Sequence, residues 1–252
     1  MDIELELKIR EGVKKALDNA ARIWEKVGSK MLLEKSFDTF SADTAVPSQI
    51  PGHHSVRQSK PEVANFIAFV LDIRKSTDHL LQARSVEPTQ LERVLYETSA
   101  INTAGAIVIE HFNGGLTEYL GDGFLALFEV KDEKNSENDV YKAYDAANYC
   151  LGESLNIVNE IICEKYELPR LDIGIGLAYS RAIVTIVGLE DNLHPKVIGE
   201  CVYRASKLSS GINEICIDER LKNLWPTTKN GKLRFTQKNM MKFNGYLLSR
   251  IS

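Results

Sequence analysis

Phe66-Ile67-Ala68-Phe69-Val70-Leu71-Asp72 and Gly114-Gly115-Leu116-Thr117-Glu118-Tyr119-Leu120-Gly121-Asp122-Gly123-Phe124-Leu125-Ala126-Leu127-Phe128 are the two stretches on which the reading of this chain turns. The first is a short, unbroken apolar run that ends on a carboxylate, the pattern of a buried strand. The second is a pair of runs around Gly121-Asp122-Gly123, the pattern of a hairpin with an acid at its tip. A carboxylate directly after a buried strand and another at a glycine-flanked tip can face one cleft. Two hard oxygen ligands in one cleft suit Mg²⁺ or Mn²⁺ carrying a nucleoside triphosphate. Each acid also has an ordinary reading, Asp72 as a helix cap and Asp122 as a turn residue.

Outward from these stretches, the pattern alternates between helix and strand. A strand is expected at 64–71 and a helix over 73–83, with Ser76 and Thr77 as capping candidates. A second helix should run from Pro88 to about Phe112, and the hairpin strands should cover 116–119 and 124–129. A charged loop at 131–138 precedes a long helix from Val140 to about Tyr166, with Tyr144, Ala147, Leu151, Leu155, Val158 and Ile162 on one face. Residues 171–178 and 182–187 read as two strands, 200–209 as a helix, and 215–217 as a strand. The segment 232–251 reads as two weaker strands. This order describes an α+β fold, with helices on one face of a largely antiparallel sheet.

The amino-terminal part is separate in pattern. Residues 3–35 carry Val13, Leu17, Ala20, Trp24, Val27 and Met31 at helical spacing, a stripe that must pack on the main domain or on a second subunit. From Ser36 to Pro61 the periodicity fails, and Pro47, Pro51 and Pro61 mark a linker or a surface loop. Its His53-His54 pair has no third ligand at useful spacing and reads as two exposed loop histidines. The expected organisation is a helix and linker at 1–61 and a catalytic domain at 62–252.

Composition narrows the classes. The 252 residues are 44% hydrophobic and 26% charged, an ordinary globular balance. A net charge of −4 argues against non-specific nucleic-acid binding. Cys150, Cys163, Cys201 and Cys216 show no CxxC spacing and read as reduced thiols. The acidic start Met1-Asp2-Ile3-Glu4 is unlike a signal peptide, and no apolar run approaches the ~20 residues of a membrane span. A cytoplasmic protein is expected.

Three stretches carry a family resemblance. Residues 66–77, FIAFVLDIRKST, resemble the first metal motif of the class III nucleotidyl cyclases, and 114–128 resemble the second. IGIG at 173–176, followed by VIGECVYRASKL at 197–208, is similar to the segment that closes their active site. The order and spacing match over about residues 62–220. The resemblance implies a ferredoxin-like cyclase domain that cyclises a nucleoside triphosphate by attack of the ribose 3′-hydroxyl on the α-phosphate. It implies two metal ions, Mg²⁺ or Mn²⁺, bridged by Asp72 and Asp122, with the Ile73 carbonyl as a further ligand. Substrate contacts would come from Arg74, Ser76, Thr77 and the backbone amides of 73–77. It implies a head-to-tail homodimer, with Glu118, Lys196, Tyr203 and Lys207 reaching the site from the second subunit.

The departures set the expected substrate. Members that make cyclic AMP carry Lys where this chain has Glu118 and Asp where it has Lys196. Glu118 suits guanine, yet Lys196 is not the Cys or Ser usual beside it. The ordinary alternative is that the two form an exposed ion pair worth little. The family's transition-state Asn aligns with Tyr203 and its Arg with Lys207, one helical turn apart; Arg204 is a further candidate. Tyr203 could stack on a small base, or pack in the core. With these changes the chain resembles the bacterial pyrimidine cyclases of Pycsar anti-phage defence. That implies cyclic UMP, or else cyclic CMP, made as a messenger for a separate effector protein. A purine cyclase with unusual base contacts and an inactive dimerisation module stay open. The Gly-Asp-Gly tip does not match a GGDEF-type diguanylate cyclase. Lys222, Lys229, Lys232 and Lys242 are the candidates for binding the γ-phosphate.

Overall fold

The computed structural model describes residues 45–81, 90–189, 192–227, 231–240 and 242–250. The stripe at 3–35 and Lys229 lie outside them. The central element is strand β3 (Glu62–Ile73), paired antiparallel on both sides. Earlier in the chain come β1 (Ala45–Ile50) and β2 (His53–Arg57), and after it helices α1 (Ser76–Leu81) and α2 (Gln90–His111). The hairpin follows as β4 (Gly115–Tyr119) and β5 (Gly123–Glu129), then helices α3 (Glu137–Tyr149) and α4 (Leu155–Tyr166). The remainder is β6 (Ile173–Leu189), β7 (Asn192–Gly199), α5 (Glu200–Leu208), β8 (Glu214–Asp218), α6 (Glu219–Leu224), β9 (Leu233–Met240) and β10 (Phe243–Arg250). The sheet runs β4-β5-β3-β6-β8-β10-β9, with β7 also on β6, and every pairing is antiparallel except β6 with β8. The expected α+β, mostly antiparallel architecture is the one observed.

Why β3 lacks alternation is visible in the core. Ile67, Phe69, Leu71 and Ile73 face one way, into a cluster with Phe124, Phe128 and residues of α2, α3, α4 and α6. Phe66, Ala68 and Val70 face the other way, into a second cluster with Leu125, Leu127, Ile50, Val56 and Cys201, Ala205 and Leu208 of α5. A strand covered on both faces has no wet side to encode. Helices therefore cover more than the one face expected: α5, β7 and the β1–β2 hairpin cover the second.

The structure departs from the sequence reading at several places, three of them for a clear physical reason; it also adds β7 and α6, which the sequence reading did not contain. Residues 45–57 are a hairpin, not a linker: Ile50 and Val56 are buried in the second cluster, and β1 packs on β4 and β7. A short edge hairpin tolerates Pro47 and Pro51, which mask it in the sequence. Its His53 is not exposed; Nδ1 lies 3.0 Å from a Glu62 carboxylate oxygen. The two strands expected at 171–178 and 182–187 are one continuous β6, whose first part pairs with β8 and whose second part pairs with β7. The long helix expected at 140–166 is broken by a π-helical stretch, Cys150–Ser154. No helix among the described residues is long and apolar enough to cross a membrane.

All four cysteines are free. Burial pushes the Cys150 thiol up to about 12 and Cys216 to about 11, and it raises Cys201. Thiolate is the reactive form. Native alkylation near neutral pH should therefore modify half-buried Cys163 first. Mass mapping that finds Cys150, Cys201 or Cys216 labelled ahead of it would contradict this packing.

Candidate active site

Asp72 is the last even-numbered position of β3, on the α5 face, and pairs with Gly123 of β5 and Gly174 of β6. The turn after β3 then folds back on the hairpin tip. The Ile73 N–H donates to the Asp122 carbonyl at 2.9 Å and Arg74 N–H to the Asp172 carbonyl at 2.8 Å. Lys75 takes a left-handed conformation, φ 61°, and α1 begins at Ser76. The tip turns through Gly121, φ 63°, a conformation glycine adopts without steric cost. The Gly123 position sits against β3 so closely that a Cβ there would lie 2.0 Å from the Leu71 carbonyl oxygen.

This packing brings the two acids to one corner. Asp72 forms an ion pair with the Arg74 guanidinium, and the Ser76 hydroxyl donates to the Asp122 carboxylate. Partial burial lowers the Arg74 pKa, and the nearby Asp122 charge opposes that shift. One guanidinium thus feels both carboxylates. The corner already accepts a cation and a hydroxyl donor, and its donors are hard oxygens, so it fits Mg²⁺ or Mn²⁺. Among the described residues no cluster of three or more His, Cys, Asp or Glu forms a closed cage.

The structure revises the expected phosphate cradle. The amides of Ile73 and Arg74 are spent on backbone partners and do not serve a phosphate. Ser76 is not the cap residue; it is the first residue of α1, and its hydroxyl serves Asp122. Thr77, also in α1, is exposed.

Glu118 and Lys196 meet each other. Lys196 Nζ lies 2.6 Å from Glu118 Oε2, both side chains partly exposed. A β-bulge explains the direction of Glu118. Leu116 pairs with Ala126 but Glu118 with Leu125, so Thr117 is the extra residue. The bulge swings Glu118 onto the face of Leu125 and α5, the face that also carries Asp72. Strict alternation would have sent it to the opposite face.

On α5, Tyr203 is half exposed and is not core, and Lys207 Nζ lies 5.8 Å from the centre of its ring. Among the described residues no hydrogen bond or ion pair joins Tyr203 or Lys207 to the Asp72–Asp122 corner. Arg204 is differently placed. It pairs with Asp218 at 3.3 Å and Glu200 at 3.1 Å, and its guanidinium stacks over Phe243. Asp218 is fully buried, and burial raises its pKa against hydrogen bonds from the Leu221 and Tyr179 amides and the charge of Arg204. Arg204 therefore anchors α5 to β8, a role its sequence position did not reveal. Lys222 lies over the Tyr246 ring, while Lys232 and Lys242 are exposed.

A partly exposed ion pair contributes about 0–1 kcal/mol to stability. Glu118→Ala, Lys196→Ala and the double variant, compared by urea unfolding, should show coupling within that range. A larger coupling would make the pair a structural element rather than two side chains open to a ligand.

The known proteins that this chain resembles share its architecture. An adenylate cyclase of Anabaena cylindrica is 23% identical over 206 residues, spanning 76% of this chain. The chain spans only 38% of that relative's length. The crystal structure of the guanylyl cyclase Cya2 superposes with a TM-score of 0.61 at 21% identity, covering 76% of this chain and 94% of Cya2. That of the adenylyl cyclase CyaB from P. aeruginosa gives 0.62 at 15% identity, covering 75% and 96%. No family model matches. The mixed sheet around β3, its two helical faces and these superpositions together give the chain the fold of a nucleotidyl cyclase catalytic domain.

Proposed function

We propose that this chain is a nucleotidyl cyclase, converting a nucleoside triphosphate to the 3′,5′-cyclic monophosphate and pyrophosphate. The supporting observation is the meeting of Asp72 and Asp122 around one turn, with Arg74 held by the first and charge-coupled to the second. Two Mg²⁺ or Mn²⁺ ions held by these carboxylates and the Ile73 carbonyl would lower the pKa of the attacking 3′-hydroxyl and neutralise the departing pyrophosphate. Amides 75–77 at the start of α1 are placed to bind phosphate oxygens. Lys207 supplies a positive charge for the α-phosphate, and Tyr203 beside it a ring for stacking. Arg204, committed to Asp218 and Glu200, holds α5 in place for both.

The Tyr203–Lys207 pair reaches its substrate from a second subunit in this reading, so the working unit is a homodimer with its sites at the interface. Exposed apolar residues support that surface: Tyr119 and Leu120 at the hairpin tip, and Val187, Leu189 and Ile198 on the β6–β7 arm.

For the base we propose uracil, ahead of cytosine. A carboxylate and an ammonium side by side complement an edge with adjacent N–H and carbonyl groups, which uracil presents. Guanine presents a similar edge, and a guanylyl cyclase shares the fold, so GTP is the second reading. A messenger role in anti-phage defence is proposed on the motif resemblance alone.

Incubation with all four ribonucleoside triphosphates and Mn²⁺, followed by mass detection, tests the scheme. Cyclic UMP is the expected product. Cyclic AMP or cyclic GMP alone would overturn the pyrimidine reading, and no product at all would overturn the enzyme reading. Asp72→Ala and Asp122→Ala should each abolish turnover with the dimer intact; activity retained by either would remove that residue from the metal site. Exchanging Glu118 and Lys196 should change base preference more than rate, measured as kcat/KM on competing triphosphates.

A further inference from the structure

An apolar groove between α2 and α4, on the far side of the sheet from Asp72, has no partner among the described residues. Its floor on α2 is small, Ser99, Ala100, Thr103 and Ala104, and its far wall is Ile157 and Ile161 of α4. It encloses about 430 Å³. Ile107, Ile157 and Ile161 are 65%, 50% and 52% exposed, large side chains of one contiguous strip left to water. Small floor residues let a helix backbone approach closely, and branched walls supply the grip. From Tyr96 to Ile107 the strip covers about three turns of helix.

The chain supplies a matching piece. Val13, Leu17, Ala20, Trp24, Val27 and Met31 form an apolar line at helical spacing, a face that also needs cover. At about 100° per residue, Lys30 and, further round, Lys26 fall on one flank of that line, and Arg10, Lys14 and Glu25 on the other. The solvent edge of α4 presents the opposite sign, with Glu160 and Glu164 exposed and Glu153 exposed just ahead of it. The reach is sufficient. Residues 32–44 separate the line from β1, a span of up to about 40 Å when extended. The β1–β2 hairpin itself borders the end of α2, where Gln49, Pro51 and His54 share a cavity with Glu110 and Asn113.

We infer that the amphipathic segment around residues 13–31 docks as a helix in the α2–α4 groove of its own chain, one basic flank against the acidic edge of α4. This inference is independent of the catalytic reading. It assigns the segment to the face opposite the proposed active site and leaves the α5 face free for the second subunit.

Trp24 makes the test. The full chain has two tryptophans, and Trp225 is buried in an aromatic cluster with Tyr144 and Phe235. Subtracting the emission of Trp24→Phe from that of the parent isolates Trp24. Blue-shifted emission that does not vary on dilution is expected. The double variant Ile157→Glu/Ile161→Glu should shift it to the red while far-UV circular dichroism shows the fold retained. Should that variant unfold, Thr103→Glu, at an exposed groove position, must give the same red shift. Solvent-like emission in the parent, or no shift in a folded groove variant, overturns the proposal. Emission that reddens on dilution, with a matching loss of mass in gel filtration, would assign the groove to a second copy and overturn it equally.

Discussion

The constraint on which the acid pair depends is the backbone contact between the ends of β3 and β5. Only a residue without a Cβ fits where Gly123 faces the Leu71 carbonyl, and this contact sets Asp72 beside the hairpin tip. The tip in turn offers its Asp122 carbonyl to the Ile73 N–H, so the turn after β3 and the hairpin are clamped backbone to backbone. Two carboxylates at one corner repel unless each has a partner. Arg74 and Ser76, delivered by the same turn, give each acid a partner. The geometry that would gather cations is therefore the geometry that stabilises the corner without them.

The two faces of the sheet serve different ends. The α2–α3–α4–α6 face holds the larger aromatic cluster, with Phe69 stacked 5.7 Å from Phe124. The other face carries the residues of the proposed site: Asp72 on β3, Glu118 on β4, Lys196 on β7 and Lys207 on α5. That face is held by its own apolar cluster and, around α5, by a polar framework. Arg204 ties α5 to buried Asp218, and Asp218 in turn accepts from the Tyr179 and Leu221 amides. Buried charge is costly unless paired and hydrogen-bonded, and here it is both. What it secures is the orientation of a short helix whose outer side chains stay exposed.

A second buried ionic group sits beside the turn after β3. Glu97 on α2, 1% exposed, accepts from Arg93 at 2.6 Å and pairs with His79 of α1 at 2.8 Å. It gives α1 a fixed seat on α2, one helical turn from Ser76. The positions of α1 and of the hairpin tip are thus set from opposite sides of the same corner, one by side-chain charge and the other by backbone sterics.

Sequence alone carried the strand β3, the hairpin with its Gly-Asp-Gly tip, the main helices and the pair of acids. These depend on local patterns: an apolar run, glycines at a turn, apolar spacing of three and four. The motifs also carried the resemblance to cyclases that the shared fold now supports. Tertiary structure decided what no local pattern encodes. The bulge at Thr117 turns Glu118 to the face of Asp72, because an inserted residue reverses the alternation that sequence reading assumes. Burial of Ile50 and Val56 makes a hairpin of a proline-marked stretch. Arg204 became an anchor because its partner Asp218 lies on another strand, distant in sequence and adjacent only once β6, α5 and β8 have packed.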